Sequence, residues 1–220
     1  MLDSAIYAEV AEITGRTLLV SGCALAVAVL LGVPAGVALA VRRSFLGRGI
    51  VMALVNTGMG LPPVVVGLLV ALALFRGGPL GGLEWMYTVK AMVVAQAIIA
   101  FPIVMGLTAA GVQQLDPKLS VQLRSLGVGG PRLGWILFRE ARLSALAAII
   151  AGFGGAISEV GAVMMVGGNI RGETRVLTTS IVQQTRMGDY ETAVALGLVL
   201  LVLAFAVNLL FTRLQQGGRR

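Results

Sequence analysis

The stretch TLLVSGCALAVAVLLGVPAGVALAV, residues 17–41, decides the class of fold because it carries no charged side chain. It is longer than the roughly 20 apolar residues that a helix needs to cross the hydrocarbon core of a bilayer. It is also too long for the apolar core of a signal peptide, so we expect the chain to retain it. We therefore predict a transmembrane helix, in which the single cysteine, Cys23, is a small packing residue.

Four further apolar runs follow, at residues 51–75, 89–110, 144–166 and 193–211. Of the 220 residues 57% are hydrophobic and only 12% are charged, too few for the surface of a soluble domain. We predict an all-α polytopic membrane protein with about five transmembrane helices, formed as one domain over residues 1–220. Before the first span, residues 4–15 (SAIYAEVAEITG) predict a short amphipathic helix at the membrane surface.

The basic residues collect in the loops on one side of these spans, which is typical of membrane topology and not of nucleic-acid binding. We expect no nucleic-acid partner. The positive-inside rule places the basic side in the cytoplasm, with the N-terminus outside and the C-terminus inside. That side has two acids, Asp116 and Glu140, and eleven of the 17 basic residues. The eleven are Arg42, Arg43, Arg48, Lys118, Arg124, Arg132, Arg139, Arg142, Arg213, Arg219 and Arg220.

The segment 111–142 is the largest predicted cytoplasmic loop. Asp116 before Pro117 is typical of a helix start, and the helix is expected to place Leu119, Leu123 and Leu126 on one face. The glycines from 127 to 130 then break it, and a second helix can begin at Pro131. This helix–break–helix element either lies against its own membrane or docks on another protein through apolar contact within a rim of arginines.

Two longer segments carry a family resemblance, VNTGMGLPPVVVGLL (55–69) and AISEVGAVMMVGGNIRGETRVLTTSI (156–181). With the loop, they resemble the permease subunits of ATP-binding-cassette importers, closest to tungstate permeases, with molybdate and sulfate permeases as relatives. The resemblance implies the permease fold of these importers and a homodimer in the prokaryotic inner membrane. It also implies an oxyanion cargo, an extracytoplasmic solute-binding protein and two ATPase subunits as partners.

By the same resemblance, the segment 111–142 is a coupling loop that inserts into a groove of the ATPase. The residues that would make this contact are Leu123, Leu126, Gly127, Val128 and Arg132. The chain has no G-x-x-x-x-G-K-[ST] phosphate loop, so we expect ATP and its Mg²⁺ to be bound by the partner ATPase. We expect no catalytic residue and no cofactor in this chain, and without histidine it has no imidazole for a metal site.

Glu159 is a carboxylate within a predicted span, where a charge costs at least about 2.5 kcal/mol. Because a fixed negative charge would repel an oxyanion, we favour a structural role, either paired or hydrogen-bonded between helices or protonated. Gating is the second interpretation and cargo contact the third. Beyond it, Met164 and Met165 predict either an apolar constriction or ordinary core filling. Close helix packing is predicted at Gly152, Gly154, Gly155 and Gly161.

The outer loop, residues 167–192, begins with a glycine pair that predicts a helix end at Asn169. Arg171 and Arg175 would then face the outer mouth, where the hydroxyls of Thr178 and Thr179 offer further donors. Arginines with hydroxyls suit a tetrahedral oxyanion, or equally the docking of a partner protein.

The segment 56–63 predicts a kink that lines or bends the path, because two prolines interrupt the backbone hydrogen bonds. An ion-gradient-driven carrier or channel, or a molybdate or sulfate permease, stays an alternative. The predicted path or gate residues are Asn56, Pro62, Pro63, Glu159, Met164, Met165, Asn169, Arg171, Thr178 and Thr179.

Overall fold

A computed structural model describes residues 2–42 and 44–217, with side chains described over 7–42 and 44–216. Within these residues the chain is all-α, as predicted, with ten α-helices and one 3-10 turn at Gly81–Leu83. The helices are α1 (Leu2–Val41), α2 (Arg48–Met59), α3 (Pro63–Leu74), α4 (Val89–Gln113), α5 (Pro117–Ser125), α6 (Gly130–Glu140), α7 (Arg142–Ile157), α8 (Gly161–Gly167), α9 (Leu177–Met187) and α10 (Tyr190–Gly217).

Three unbroken helices, α1, α4 and α10, are each long and apolar enough to cross a membrane. The pair α2 and α3 bends by 101° and the pair α7 and α8 by 57°, so counting each pair as one broken span gives up to five spans. All five predicted apolar runs are helical, and the kink predicted at 56–63 is confirmed. The break inside 144–166 was not predicted.

Proline chemistry explains the first of these breaks. Proline has no N–H to donate to a helix, and it pushes the residue before it out of the helical conformation. Pro62 is accordingly extended, at φ −61° and ψ 122°, and α3 begins at Pro63. The bend therefore follows from the sequence Pro62-Pro63 itself.

The N-terminal segment differs from the prediction, because residues 4–15 do not form a separate surface helix. They are the first turns of α1, which continues without a break from Leu2 to Val41. The stretch of α1 that contains the candidate span, Tyr7–Val41, has 35 residues, and its first turns carry Glu9, Glu12 and Arg16. At 1.5 Å per residue this is about 52 Å, well beyond the hydrocarbon thickness of about 30 Å. Several turns of α1 must therefore extend past the membrane core.

The centre of the fold is the parallel contact between α1 and α4, where small residues on α1 admit the backbone of α4. A Cβ on Gly32 would lie 3.2 Å from the Phe101 carbonyl oxygen, and one on Gly36 would lie 2.5 Å from that of Met105. Cys23 lies away from this contact and is exposed, so its prediction as a packing residue was wrong.

The loops sort to the two ends of the bundle as the charge pattern predicts. At one end, Arg16 near the start of α1 donates from Nη1 to the Arg175 carbonyl at 2.9 Å. At the other end, the last turns of α1 pack on α6, where a Cβ on Gly134 would lie 3.3 Å from Val37 Cγ1. Three arginines of the predicted basic set lie outside the described residues, namely Arg43, Arg219 and Arg220.

We expect Gly36→Ala to destabilise the chain, because the added methyl group would meet the backbone of α4 at Met105. Overpacking of this kind costs about 1–3 kcal/mol. Gly22→Ala on the same helix is the matched control, since nothing lies within 4 Å of its Cβ position. Thermal unfolding in detergent should show a lower midpoint for Gly36→Ala alone. Equal midpoints for the two variants would contradict the close contact between α1 and α4.

Candidate functional site

The predicted coupling loop folds as α5, a tight break and α6, at the end of the bundle that carries the basic loops. The side chain of Asp116 accepts a hydrogen bond from the Lys118 amide at 2.9 Å. This bond satisfies one of the free N–H groups of the first turn of α5. The predicted helix start at Asp116 is confirmed.

Two glycines make the break between α5 and α6. Gly127 has φ +79° and Gly130 has φ +57°, both in the left-handed region where a side chain is strained. The Val128 amide donates back to the Leu123 carbonyl at 2.9 Å, which closes the turn. The predicted helix–break–helix arrangement is therefore present, and its geometry depends on backbone that glycine adopts without strain.

The five predicted coupling residues divide between the core and the surface. Leu123 and Val128 are partly buried and pack on an apolar cluster that includes Leu133 of α6. Leu126 is 78% exposed, and Arg132 is exposed as well. The helical pattern predicted that Leu126 shares a face with Leu123, and this was wrong. Helix α5 ends at residue 125 and the chain turns there, so Leu126 does not point inward with Leu123.

Two further apolar side chains on this element are exposed, and the sequence reasoning did not single them out. Val121 is 65% exposed and Trp135 is 64% exposed. Together with Leu126 they form what we call the docking ridge, defined as Val121, Leu126 and Trp135. Trp135 rests against Phe138, with ring centroids 5.7 Å apart. The exposure of Trp135 could have been predicted from its sequence position. It lies two residues from the buried Leu133, and so on a different face of α6.

Glu159 lies in the break between α7 and α8 and is only 6% exposed. Its Oε1 accepts a hydrogen bond from the Ala162 amide at 2.8 Å, which satisfies a free N–H of the first turn of α8. Its backbone carbonyl accepts a second bond, at 3.0 Å, from the Thr178 hydroxyl of α9. The carboxylate is thus hydrogen-bonded within its own segment, and the link to another helix comes through its carbonyl.

The other end of α8 is fixed in a similar way. The Gly167 carbonyl accepts a hydrogen bond of 2.5 Å from the Thr174 hydroxyl. Gly168 and Asn169 then adopt positive φ values of 70° and 53°, which confirms the helix end predicted there. The Asn169 side chain donates from Nδ2 to Gln183 Oε1 at 2.7 Å. Side chains from outside α8 therefore hold both of its ends.

Helix α8 packs very closely on α3. A Cβ on Gly67 would lie 2.5 Å from the Ala162 Cα, and one on Gly161 would lie 2.7 Å from Val64 Cγ2. Glycine at both positions lets the two helices approach, as predicted for Gly161. The apolar core beneath this contact includes Val66, Val70, Val163 and Val166.

The remaining predicted glycines serve the packing of α7 on α4. A Cβ on Gly152 would lie 2.8 Å from Val104 Cγ2, and one on Gly155 would lie 3.3 Å from Ile103 Cδ1. Nothing lies within 4 Å of the corresponding position on Gly154. Close helix packing is therefore found at three of the four predicted glycines.

The two methionines of α8 are less buried than the valines beside them. Met164 is half-buried and Met165 is 37% exposed, next to the contact with α3 at Gly67. The surface that α8 leaves uncovered is therefore apolar.

Polar side chains on α2 point away from the rest of the chain. Asn56 and Thr57 are both exposed, and so is Pro62 at the bend, whereas Pro63 is half-buried. An amide exposed on a segment that could lie in a membrane needs a polar partner, either water or another protein chain.

The predicted hydroxyl donors of the outer loop are used within the chain. Thr178 is 4% exposed and bonded to the Glu159 carbonyl, and Thr179 is fully buried. Thr179 Oγ1 accepts from the Val176 amide at 3.1 Å, which starts α9. This helix was missed, because the region 167–192 was predicted to be a loop. In this conformation neither hydroxyl is presented to a bound anion.

The outer arginines form a compact cluster with acids of α1. Arg171, whose side chain is 73% exposed, pairs with Glu9, and Arg175 Nη1 lies 3.5 Å from the same carboxylate. Arg16 pairs with Glu12. The positive charge predicted at the outer mouth is thus partly offset by α1. Among the described residues, no three Asp, Glu, Cys or His side chains group as a metal site.

Comparison with known proteins agrees with this architecture. The family described as binding-protein-dependent transport system inner membrane component matches residues 32–220. A probable anion ABC transporter permease protein of Haloferax volcanii is 41% identical over 207 residues, which cover 92% of this chain and 89% of the relative. The tungstate uptake system permease protein TupB of Peptoclostridium acidaminophilum is 40% identical over 208 residues, covering 94% and 91%.

Solved structures show the same fold. A chain of the MetNI methionine ABC transporter, in an inward-facing conformation, superposes with a TM-score of 0.78 over 98% of this chain and 99% of its own length, at 16% identity. A chain of an amino acid ABC transporter superposes with a TM-score of 0.68 over 98% and 95%, at 20% identity.

The relatives are permease proteins, which confirms that this chain is a transport subunit and that ATP hydrolysis belongs to a separate subunit. This chain is a protein of the inner membrane. The chain belongs to the family of inner-membrane components of binding-protein-dependent transport systems, and it has the fold of the ABC importer permeases.

Proposed function

We propose that this chain forms one half of a homodimeric path for an oxyanion, tungstate, that two ATPase subunits drive and an extracytoplasmic binding protein supplies. The docking ridge is the observation that supports a contact with the ATPase subunit. It presents three large apolar side chains on a short element braced against the core. Apolar anchors within a charged rim are what a stable protein contact requires.

The orientation follows from charge. The docking ridge lies at the end of the bundle that carries most of the basic residues, and the positive-inside rule assigns such an end to the cytoplasm. An ATPase that uses cellular ATP would meet the chain there. The N-terminus of α1 and the cluster around Glu9 would then face the binding protein outside.

A second copy is supported by what one copy leaves exposed. Asn56 and Thr57 are exposed on α2, and Met165 is exposed on α8. Two copies related by a two-fold axis would enclose these surfaces and supply polar partners along a shared path. They would also provide one docking ridge for each ATPase subunit.

Helix α8 has the features of a gate. It is short, and its methionines are less buried than the valines of its core, with Met165 at the edge of the contact with α3. Apolar side chains that narrow a path block ions by excluding water. Because Glu159 at one end and Thr174 at the other hold α8, a movement of α7 or α9 would carry the methionines with it.

The proposal that the cargo is tungstate is supported by the names of the relatives. A relative named for tungstate uptake is 40% identical, and another named for anion transport is 41% identical. A molybdenum permease, ModB of Haemophilus influenzae, is only 28% identical over 69% of this chain. Tungstate is therefore favoured over molybdate, and over sulfate, whose permease CysT of Synechocystis is also 28% identical.

The proposal is tested by uptake into proteoliposomes that contain the chain, its ATPase and its binding protein. We expect labelled tungstate to enter with ATP and not with ADP, because the chain itself lacks a phosphate loop. Unlabelled tungstate should compete better than molybdate or sulfate. Equal competition by molybdate would overturn the cargo. Uptake by the chain alone under an ion gradient would overturn the whole proposal.

We expect Gly127→Val to insert and bind the ATPase normally while uptake falls about tenfold or more, because a β-branched residue at φ +79° strains the turn by at least about 1–2 kcal/mol. Gly129→Val is the matched control, since Gly129 has φ −137° and open space at its Cβ position. Uptake and ATP hydrolysis are measured together. Loss of uptake in both variants, or in neither, would contradict a role for the turn geometry.

Two variants of Glu159 separate hydrogen bonding from charge. Glu159→Gln retains an oxygen that can accept from the Ala162 amide, so we expect uptake and thermal stability close to the parent. Glu159→Leu leaves that buried amide without a partner, which costs about 1–3 kcal/mol, and should lower both. If Glu159→Gln abolishes uptake at unchanged stability, the charge itself is required and the capping role is insufficient.

A further inference from the structure

We propose that the groove between α1 and α6 is a binding site for one anionic phospholipid. Its acyl chain would lie along α1, and its phosphate would contact Arg42 and Arg124. None of the residues that line the groove is a predicted path or gate residue, and the site does not depend on which ion the protein carries.

The groove is a cavity of about 770 Å³, a size typical of ligand pockets. Its floor is the close contact of α6 with α1, where Gly134 lies against Val37. One wall is formed by Phe138 and by Trp135, which the groove shares with the docking ridge. The fold therefore shapes a cleft here instead of packing the two helices together along their whole length.

Polarity changes along the groove in one direction. Val33, Pro34 and Val37 line one end, and they belong to the part of α1 that could span a membrane, which ends at Val41. Arg42 lines the other end, directly after the span. An apolar channel that opens onto cationic side chains at the membrane surface matches a phospholipid, whose acyl chains lie in the hydrocarbon and whose phosphate lies at the interface.

The two arginines are available for such a phosphate. Within residues 7–42 and 44–216, whose side chains are described, ion pairs to acids occupy Arg16, Arg171 and Arg175, whereas neither Arg42 nor Arg124 pairs with a carboxylate. Both are exposed side chains that line the same cavity. Arginine binds phosphate oxygens with paired N–H donors, which suits it to a phospholipid headgroup.

Charge and depth favour a lipid over a protein as the occupant. A segment of the ATPase would have to enter the membrane to reach Val33 and Pro34. A second copy of this chain is expected on the surface around Asn56, Thr57 and Met165, and none of these residues lines the groove. An anionic lipid satisfies both the depth and the charge.

The test is mass spectrometry of the intact chain in detergent, titrated with phosphatidylglycerol or with phosphatidylcholine of the same acyl chains. We expect phosphatidylglycerol to bind more tightly. The double variant Arg42→Gln/Arg124→Gln should lower its affinity by about 30-fold, from the contribution of two basic residues near a membrane surface. The affinity for phosphatidylcholine should fall less, because its choline cation offsets the charge of its phosphate. Arg139→Gln/Arg213→Gln is the matched control, because both arginines are exposed and neither lines the groove.

Several outcomes would overturn the site. Equal binding of the two lipids would remove the role of the net negative charge of the headgroup, and equal losses in the two double variants would remove the role of the groove. Displacement of the lipid by 10 mM inorganic phosphate would identify a free anion as the occupant. If Arg42→Gln/Arg124→Gln loses the dimer but keeps the lipid in the same spectra, the occupant of the groove is a second copy of the chain.

Discussion

The structure depends on one constraint, that a backbone N–H or C=O at membrane depth must have a hydrogen-bond partner. An unbroken helix meets most of this constraint by itself, although α1 and α4 each lose a helical bond at an internal proline, Pro34 and Pro102. The two bent pairs cannot, because each break frees backbone groups from their helical bonds. At the break between α7 and α8, the Glu159 side chain and the Thr178 hydroxyl provide the missing bonds. A buried carboxylate in an anion importer is thereby explained without assigning it to the anion.

The same hydrogen bonds connect the parts that would have to move. The carbonyl of Glu159 joins the start of α8 to α9, and the Thr17 hydroxyl accepts from the Leu177 amide at 3.0 Å, which joins α9 to α1. The Val166 carbonyl near the end of α8 accepts from the Tyr87 amide at 2.8 Å, just before α4. A displacement that begins at the docking ridge can reach α8 through α7, which follows α6 directly. The polar contacts at α8 thus stabilise its position and would also transmit a displacement to it.

Much of this architecture could be predicted from the sequence, because its signals are local. Apolar runs longer than a bilayer is thick predicted the helices, and Asp116-Pro117 with the glycines after residue 126 predicted the α5–α6 element. Counting charges predicted which side of the membrane each loop faces, and this orientation stays a prediction. The kink at Pro62-Pro63 followed from the chemistry of proline alone.

The predictions that failed concern long-range partners, which a local pattern does not contain. The hydroxyls of Thr178 and Thr179 were read as donors for an anion, and tertiary contacts bury both of them. Arg171 was predicted only to face the outer mouth, and its pairing with Glu9, 162 residues away in sequence, was not predicted. Within the segment 4–15, Glu9 contacts Arg171 and Arg175 of that outer cluster, and Glu12 pairs with Arg16. The exposed position of Trp135 depends on which face of α6 packs against α1.

The central claim is that a permease without a motor receives work through the docking ridge, and site-specific photo-crosslinking tests it most directly. A photoreactive residue would replace Leu126 in the assembled transporter, and another would replace Leu30, which is 72% exposed in the apolar middle of α1. The account predicts that position 126 captures the ATPase subunit and that position 30 does not. Capture of the extracytoplasmic binding protein at position 126, or failure to capture the ATPase there in an actively transporting complex, would contradict it.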